Sequence, residues 1–283
     1  MSGRQIVAVL GRGVVPADEP VLRADDRGAL HGDGLFETMH VRTGRPWLAA
    51  EHLARLVRSA VALDLPLPPV DDLRDLLDTA CADWPAETEG MLRLVCTRGP
   101  EHGLATGTVY VTVSEVPEAV RRTRRTGITV ATLPLGVSAD ARTHRPWLLA
   151  GLKTTSYAPN QAARRWAAAN GVDDVLWVST DGYALEGPSA NLVWLTDDTL
   201  CTVPADTGIL PGVTADRLLD QAGTLGWTAA RRRISPSGLH RADGVWFTSS
   251  VRGVAEVRAL DGVPLPAARH TAALTALLGF AER

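Results

Sequence analysis

GLKTTSY, residues 151–157, holds Lys153, the only lysine among the 29 basic side chains of a 283-residue chain. Every other one is arginine. Drift in composition towards Arg, Ala, Gly and Pro would leave one lysine by accident. Chemistry would keep one on purpose. A guanidinium, with a pKa above about 12, cannot lose its proton near neutrality. A lysine amine can, once it is desolvated or set beside another cation, and it then forms a Schiff base. The sequence around Lys153 has to decide between the two.

The length suits two domains with a sizeable core. A net charge of −3 lacks the electrostatic footprint of a nucleic-acid-binding chain. The single basic run, Arg121-Arg122-Thr123-Arg124-Arg125, reads as a solvated linker. Cys81, Cys96 and Cys201 stand apart, with neither CxxC spacing nor a metal-ligand pattern. Reduced thiols and a cytoplasmic location are expected, and no metal. The apolar run near the start, IVAVL (residues 6–10), is too short for a signal peptide or a membrane span, and no other window is long enough.

Both halves mix helix and strand. LFETMHVRTGRPW (residues 35–47) reads as a strand, a Thr43-Gly44 turn and a second short strand. In residues 48–65, Ala49, Leu53, Leu56, Ala60 and Leu63 fall on one helical face, and Pro66, Pro68 and Pro69 end the helix. Residues 71–84 form a second amphipathic helix, and residues 90–99 and 107–116 read as strands. The charged stretch that follows has no apolar period and marks a domain boundary. The expected organisation is an N-terminal α/β domain over 1–118, a linker over 119–127 and a C-terminal domain over 128–283. In the second half, Asn170-Gly171 stops a helix. Asp181-Gly182 joins a hairpin. LPGVTAD opens a helix, and a Ser-rich turn separates the last strands.

A Schiff-base enzyme that uses pyridoxal phosphate needs an amine and an acid opposite the pyridine nitrogen. It needs a phosphate anchor, supplied by helix N-terminal amides and an arginine. It also needs a proton donor or acceptor near the substrate. Candidates exist for each: Glu186 in LEGPSAN, the helix start Gly212-Val213-Thr214, Arg55 three residues after His52, and the hydroxyls Thr248, Ser249 and Ser250. Taken singly, each is an ordinary strand-end carboxylate, helix terminus, surface arginine or turn.

Their order is specific. From GDGLFETMHV through EHLARL, GLKTTSY, LEGPSAN and ILPGVTADRLL to FTSSVRGVAEV, the chain resembles the fold-type IV pyridoxal-phosphate enzymes. These are the class IV aminotransferases and aminodeoxychorismate lyases. The resemblance implies an α/β (α+β) fold of two domains with pyridoxal 5'-phosphate in the cleft between them, usually in a homodimer. It makes Lys153 the amine that forms the Schiff base and moves the substrate proton, and Glu186 the acid at the pyridine nitrogen. Arg55, Val213, Thr214, Ser249 and Ser250 become the phosphate ligands.

The block GDGLFET bears on the reaction. Its Thr38 alternates with Glu37, so the two face opposite ways on a strand. In aminodeoxychorismate lyases a threonine here resembles the proton donor to the departing pyruvate. D-amino-acid aminotransferases carry Tyr-Glu-Val at this place, and branched-chain enzymes Phe-Glu-Gly. The expected reaction is therefore the conversion of the small molecule 4-amino-4-deoxychorismate to 4-aminobenzoate and pyruvate, a step towards folate. For the substrate carboxylates, Arg93 stands where the lyases have lysine. The arginine expected after TRG is absent, so His102 in PEHG, or Arg252, is the candidate replacement. The alternatives are a transaminase of D-amino or branched-chain acids, and a catalytically silent module that binds the cofactor.

Overall fold

The computed structural model describes residues 4–102, 107–143 and 145–280. Its backbone divides into two units, Met1–Pro117 with Leu152–Tyr157, and Glu118–Gly151 with Ala158–Arg283.

In the first unit, Gln5–Val9 (β1), Gly13–Val15 (β2), Gly34–Arg42 (β3), Arg45–Pro46 (β4), Gly90–Thr97 (β5) and Val109–Glu115 (β6) form an antiparallel sheet. Its order is β2-β1-β6-β5-β3-β4. The β3–β4 turn falls at Thr43-Gly44, with φ of 46° and 71°. Positive φ at both positions matches the twist of a two-residue hairpin. Arg27–Leu30 (α1), Ala49–Leu63 (α2) and Val70–Cys81 (α3) complete the unit. The spacing read from the sequence is realised on α2: Leu53, Leu56 and Ala60 are buried in one core with Met39, Leu73, Leu77 and Leu92. Each fully buried leucine contributes roughly 1.5–3 kcal/mol.

The second unit contains Glu118–Thr126 (α4), Ile128–Pro134 (β7), Ala158–Ala169 (α5), Asp174–Val178 (β8), Glu186–Gly187 (β9), Ala190–Thr196 (β10) and Thr199–Thr202 (β11). Val213–Gln221 (α6), Thr228–Arg231 (β12), Pro236–Leu239 (α7), Gly244–Ser249 (β13), Gly253–Leu260 (β14), Val263–Pro264 (β15) and Thr271–Leu277 (α8) follow. The sheet runs β12-β11-β10-β13-β14-β7-β8, with β9 on β10 and β15 on β14. Trp194, Phe247, Leu192 and Val257 anchor its core.

Two local expectations change. The Arg-rich stretch after Pro117 is helical (α4) where an irregular chain was expected. An apolar stripe does not hold it. Glu118 pairs with Arg121 and Arg125 along its own surface. Arg124 donates to the carbonyls of Val251 and Arg252 and lies over the Phe280 ring. An acid at the start and arginines at the end also suit the helix dipole. The hairpin turn at Asp181-Gly182 is present, with Gly182 N–H donating to the Ser179 carbonyl at 3.0 Å. Its second arm stays with β8 only through Ala184 and Leu185. At Glu186 the chain changes partner and pairs with β10. No described helix is long and apolar enough to cross a membrane.

Candidate active site

Lys153 is fixed by the strand that carries Thr38. The Phe36 amide donates to the Lys153 carbonyl at 2.9 Å, and the Thr155 amide to the Gly34 carbonyl at 2.9 Å. Residues 153–155 thus run along β3 as a short added strand, with Leu35 opposite Thr154. This explains a glycine of the GDG block. Gly32 has φ 68°, and a Cβ there would meet Ser156 Oγ at 2.6 Å. A side chain would push the lysine segment off the sheet. The Lys153 amine lies 4.6 Å from the centre of the Phe36 ring, and the Arg93 guanidinium 5.7 Å from the same ring. Tyr157 meets Phe36 edge-on at 5.3 Å. Thr38 pairs directly with Arg93 across β3 and β5, so the two share the face that carries Phe36. The first unit therefore collects Lys153, Thr38 and Arg93 about one aromatic ring.

Glu37 points the other way, into a buried cluster. Arg55 donates to it through Nε at 2.8 Å and Nη2 at 2.6 Å. His52 Nδ1 lies 2.8 Å from Glu37 Oε2. Burial alone would push the Glu37 carboxyl up. The charge and hydrogen bonds of Arg55, joined by His52, outweigh it and bring the group down to about 2. His52 is held below its ordinary value by burial, against the pull of Glu37, with the charges of Arg55 and Lys153 lowering it further. The neutral ring then carries its proton on Nδ1, towards Glu37, and Nε2 is buried without a hydrogen-bond partner. Arg55, read from the sequence as a surface arginine or a phosphate anchor, is thus fixed from beneath by a carboxylate. The HxxR spacing on one turn of α2 is the signal that could have found this.

Glu37→Gln should cost about 3–5 kcal/mol, because it takes the carboxylate away from a buried guanidinium. Denaturant midpoints of the wild type and variant measure this. Acid should destabilise the wild type in two stages. His52 is held below its ordinary value when folded, so stability begins to fall as pH drops below 6.5, where the unfolded chain takes up the proton first. Glu37 then loses its contribution, about 3 kcal/mol, between 4.5 and about 2. In Glu37→Gln the lower stage should vanish.

The second unit gathers Glu186 with the helix start. Both Glu186 carboxylate oxygens accept from the Leu210 amide at 3.2 Å. Asn191, opposite Glu186 in the ladder, donates to the Leu210 carbonyl at 2.7 Å. A Cβ on Gly212 would collide with Asn191 Oδ1, which is why LPGV has glycine there. Gly212 is the N-cap of α6 and no side chain caps that helix, while Val213 and Thr214 behind it are buried. The β13–β14 turn carries Ser249, partly buried, and Ser250, buried. Thr248 Oγ1, next to them, is buried without a hydrogen-bond partner. An uncapped N-terminus beside buried hydroxyls is the donor set an anionic phosphate takes.

The remaining candidates separate. His102 is exposed on the loop after β5, and Gly103 of PEHG lies outside the described residues. Arg252 donates through Nη1 to Asp174 at 2.8 Å, a nearly buried pair within the second unit. Phe36 and Arg142 were not singled out in the sequence, and Asn191 only through its spacing from Glu186 in EGPSAN. An aromatic and one more arginine carry no chemistry until their neighbours are known. Among the described residues no cluster of His, Cys, Asp and Glu could hold a metal ion.

Known proteins resemble this chain over most of its length. The family model described as Amino-transferase class IV matches residues 34–260. A bifunctional aminodeoxychorismate lyase / D-amino acid transaminase of Mycobacterium tuberculosis is 42% identical, over 92% of this chain and 93% of that one. The structure of a hypothetical aminotransferase from Mycobacterium tuberculosis, in its PLP-bound form, superposes with a TM-score of 0.93 at 40% identity and 97% coverage of both chains. The 4-amino-4-deoxychorismate lyase of Pseudomonas aeruginosa superposes with a TM-score of 0.79 at 31% identity, covering 96% of this chain and 97% of that one.

Proposed function

This chain belongs to the class IV amino-transferase family, and on that premise we propose that it binds pyridoxal 5'-phosphate and converts 4-amino-4-deoxychorismate to 4-aminobenzoate and pyruvate. The observation that carries the reading is Lys153 held beside Phe36, on the face of β3 shared by Thr38 and Arg93. The cofactor, when bound, supplies an electron sink for the charge left as a carbon next to nitrogen loses its proton. Val213, Thr214, Ser249 and Ser250 bind its phosphate, with Arg55 steadied by Glu37. Glu186, gripped by the Leu210 amide, keeps a proton on the pyridine nitrogen.

Lys153 would take the proton from the amine-bearing ring carbon of the substrate. Thr38 donates a proton to the methylene carbon of the departing pyruvate unit. The ring becomes aromatic as that unit leaves, so no amino acceptor is required. Arg93 pairs with a substrate carboxylate, and His102 is the candidate for the second. Arg252 is left to its pair with Asp174. The product is a precursor of folate.

A second activity on the same site, transamination of D-amino acids, is favoured by the double name of the Mycobacterium tuberculosis relative. The same Lys153 would serve both. We also place the enzyme in the cytoplasm as a homodimer. Buried, unpaired Cys81, Cys96 and Cys201 suit a reducing compartment. Exposed Trp147 and Leu148 offer apolar surface to a second copy, which light scattering tests.

Thr38→Ala tests the lyase assignment. It should slow formation of 4-aminobenzoate and pyruvate by roughly 10²-fold or more, the range of general-acid catalysis. The visible absorbance of the cofactor joined to Lys153 should not change, because Thr38 acts on the leaving fragment. A raised KM with an unaltered kcat would make Thr38 a pocket wall and return the assignment to transamination.

A further inference from the structure

Arg142 lies in the irregular stretch between β7 and Lys153 and has no role in the chemistry above. Its backbone carbonyl accepts from the Arg145 amide at 3.1 Å, so the segment is locally folded about it. Its side chain packs against Gly208, the residue that closes the 3-10 turn Ala205–Thr207. A Cβ on Gly208 would lie 3.2 Å from Arg142 Cβ and 3.3 Å from Arg142 Nε. Two residues beyond Gly208 is Leu210, whose amide grips Glu186.

Three facts make this arginine unusual. It is partly buried, and Nε is fully buried with no hydrogen-bond partner. Among the described residues no ion pair engages its guanidinium. Among the described residues the Glu186 carboxylate is the charged group that acts on it, offsetting part of the cost of burial. A guanidinium stays protonated at any pH the protein meets. A permanent cation left half-desolvated and unpaired is costly, and a neutral side chain would pack there at less expense. Its charge has to serve something, and the carboxylate within its field is Glu186.

We propose that Arg142 is a positioning residue for Glu186: it packs on the loop whose Leu210 amide holds the carboxylate, and its cation favours the negative charge that Glu186 would offer to the pyridine nitrogen of the bound cofactor. A nearby cation favours the charged form of an acid. The carboxylate then remains an acceptor for the pyridine N–H instead of taking the proton itself. The inference rests on the role given to Glu186 above.

The test uses purified full-length protein with Arg142→Met, which keeps bulk and removes charge, and Arg142→Lys, which restores a cation. Pyridoxal 5'-phosphate is titrated into cofactor-free protein and followed by tryptophan fluorescence. Arg142→Met should weaken the cofactor by severalfold, lower kcat about tenfold or more and leave KM within about twofold. Arg142→Lys should recover most of both losses. In a Glu186→Gln background, Arg142→Met should add little, because the group it acts on is no longer ionisable. A rise in KM with kcat intact would overturn the proposal in favour of direct contact with a substrate carboxylate. Additive effects in the double variant, or failure of lysine to rescue, would overturn it as well. Equal loss of thermal stability in the methionine and lysine variants, without a difference in kcat, would show a packing role only. If Glu186→Gln alone changes nothing, the reading of Glu186 fails first. If it impairs the enzyme and Arg142→Met does not, only this inference fails.

Discussion

Lys153→Arg is expected to abolish turnover, by roughly 10⁴-fold or more, while the protein stays folded. The substitution keeps positive charge beside the Phe36 ring, so the cation–ring contact at 4.6 Å survives in kind. It removes the two properties the proposed reaction needs. A guanidinium does not attack an aldehyde as an amine does, and because it stays protonated it cannot take the substrate proton. The visible absorbance of the joined cofactor should disappear with activity. Lys153→Ala should behave the same way, which separates loss of the amine from loss of charge. Folding should persist in both, because the segment is anchored to β3 through backbone groups of Phe36, Gly34 and Thr155. Absorbance spectra, circular dichroism and an assay for 4-aminobenzoate measure the three consequences. Activity retained in either variant contradicts the assignment of the amine.

Glu186→Gln should keep the visible absorbance and lose roughly 10²–10³ in kcat, the cost of removing one preorganised electrostatic partner. Glutamine fills the same space and can still accept from the Leu210 amide. It carries no charge, so it no longer favours a proton on the pyridine nitrogen, and the ring draws electrons less strongly. Steady-state kinetics and the spectrum of the purified variant check this. Unchanged kcat would mean that another acid serves the nitrogen.

Much of this arrangement was legible because it follows from periodicity and turn chemistry. The stripe Leu53, Leu56 and Ala60 could only be a helix face, and Thr43-Gly44 could only be a tight turn between strands. The alternation that puts Glu37 and Thr38 on opposite faces follows from strand geometry and is observed. What escaped depends on partners distant in sequence. Residues 153–155 lie along Gly34–Phe36 through backbone hydrogen bonds that no side chain announces. Arg55 gives no sign by itself that Glu37, 18 residues earlier, will hold it. Helix α4 was missed because ion pairs and contacts to Val251, Arg252 and Phe280 hold it where an apolar stripe usually would. Arg142 looked like one arginine among many, and only its burial without an ion-pair partner among the described residues, in the field of Glu186, sets it apart.

The central claim is that this chain eliminates pyruvate from 4-amino-4-deoxychorismate without an amino acceptor. The direct measurement is to incubate purified protein with pyridoxal 5'-phosphate and 4-amino-4-deoxychorismate, with no 2-oxo acid present, and to quantify both products. The account predicts equimolar 4-aminobenzoate and pyruvate over many turnovers, with Lys153→Ala giving neither. No 4-aminobenzoate from an enzyme that transfers an amino group from a D-amino acid to 2-oxoglutarate in a parallel assay would contradict it.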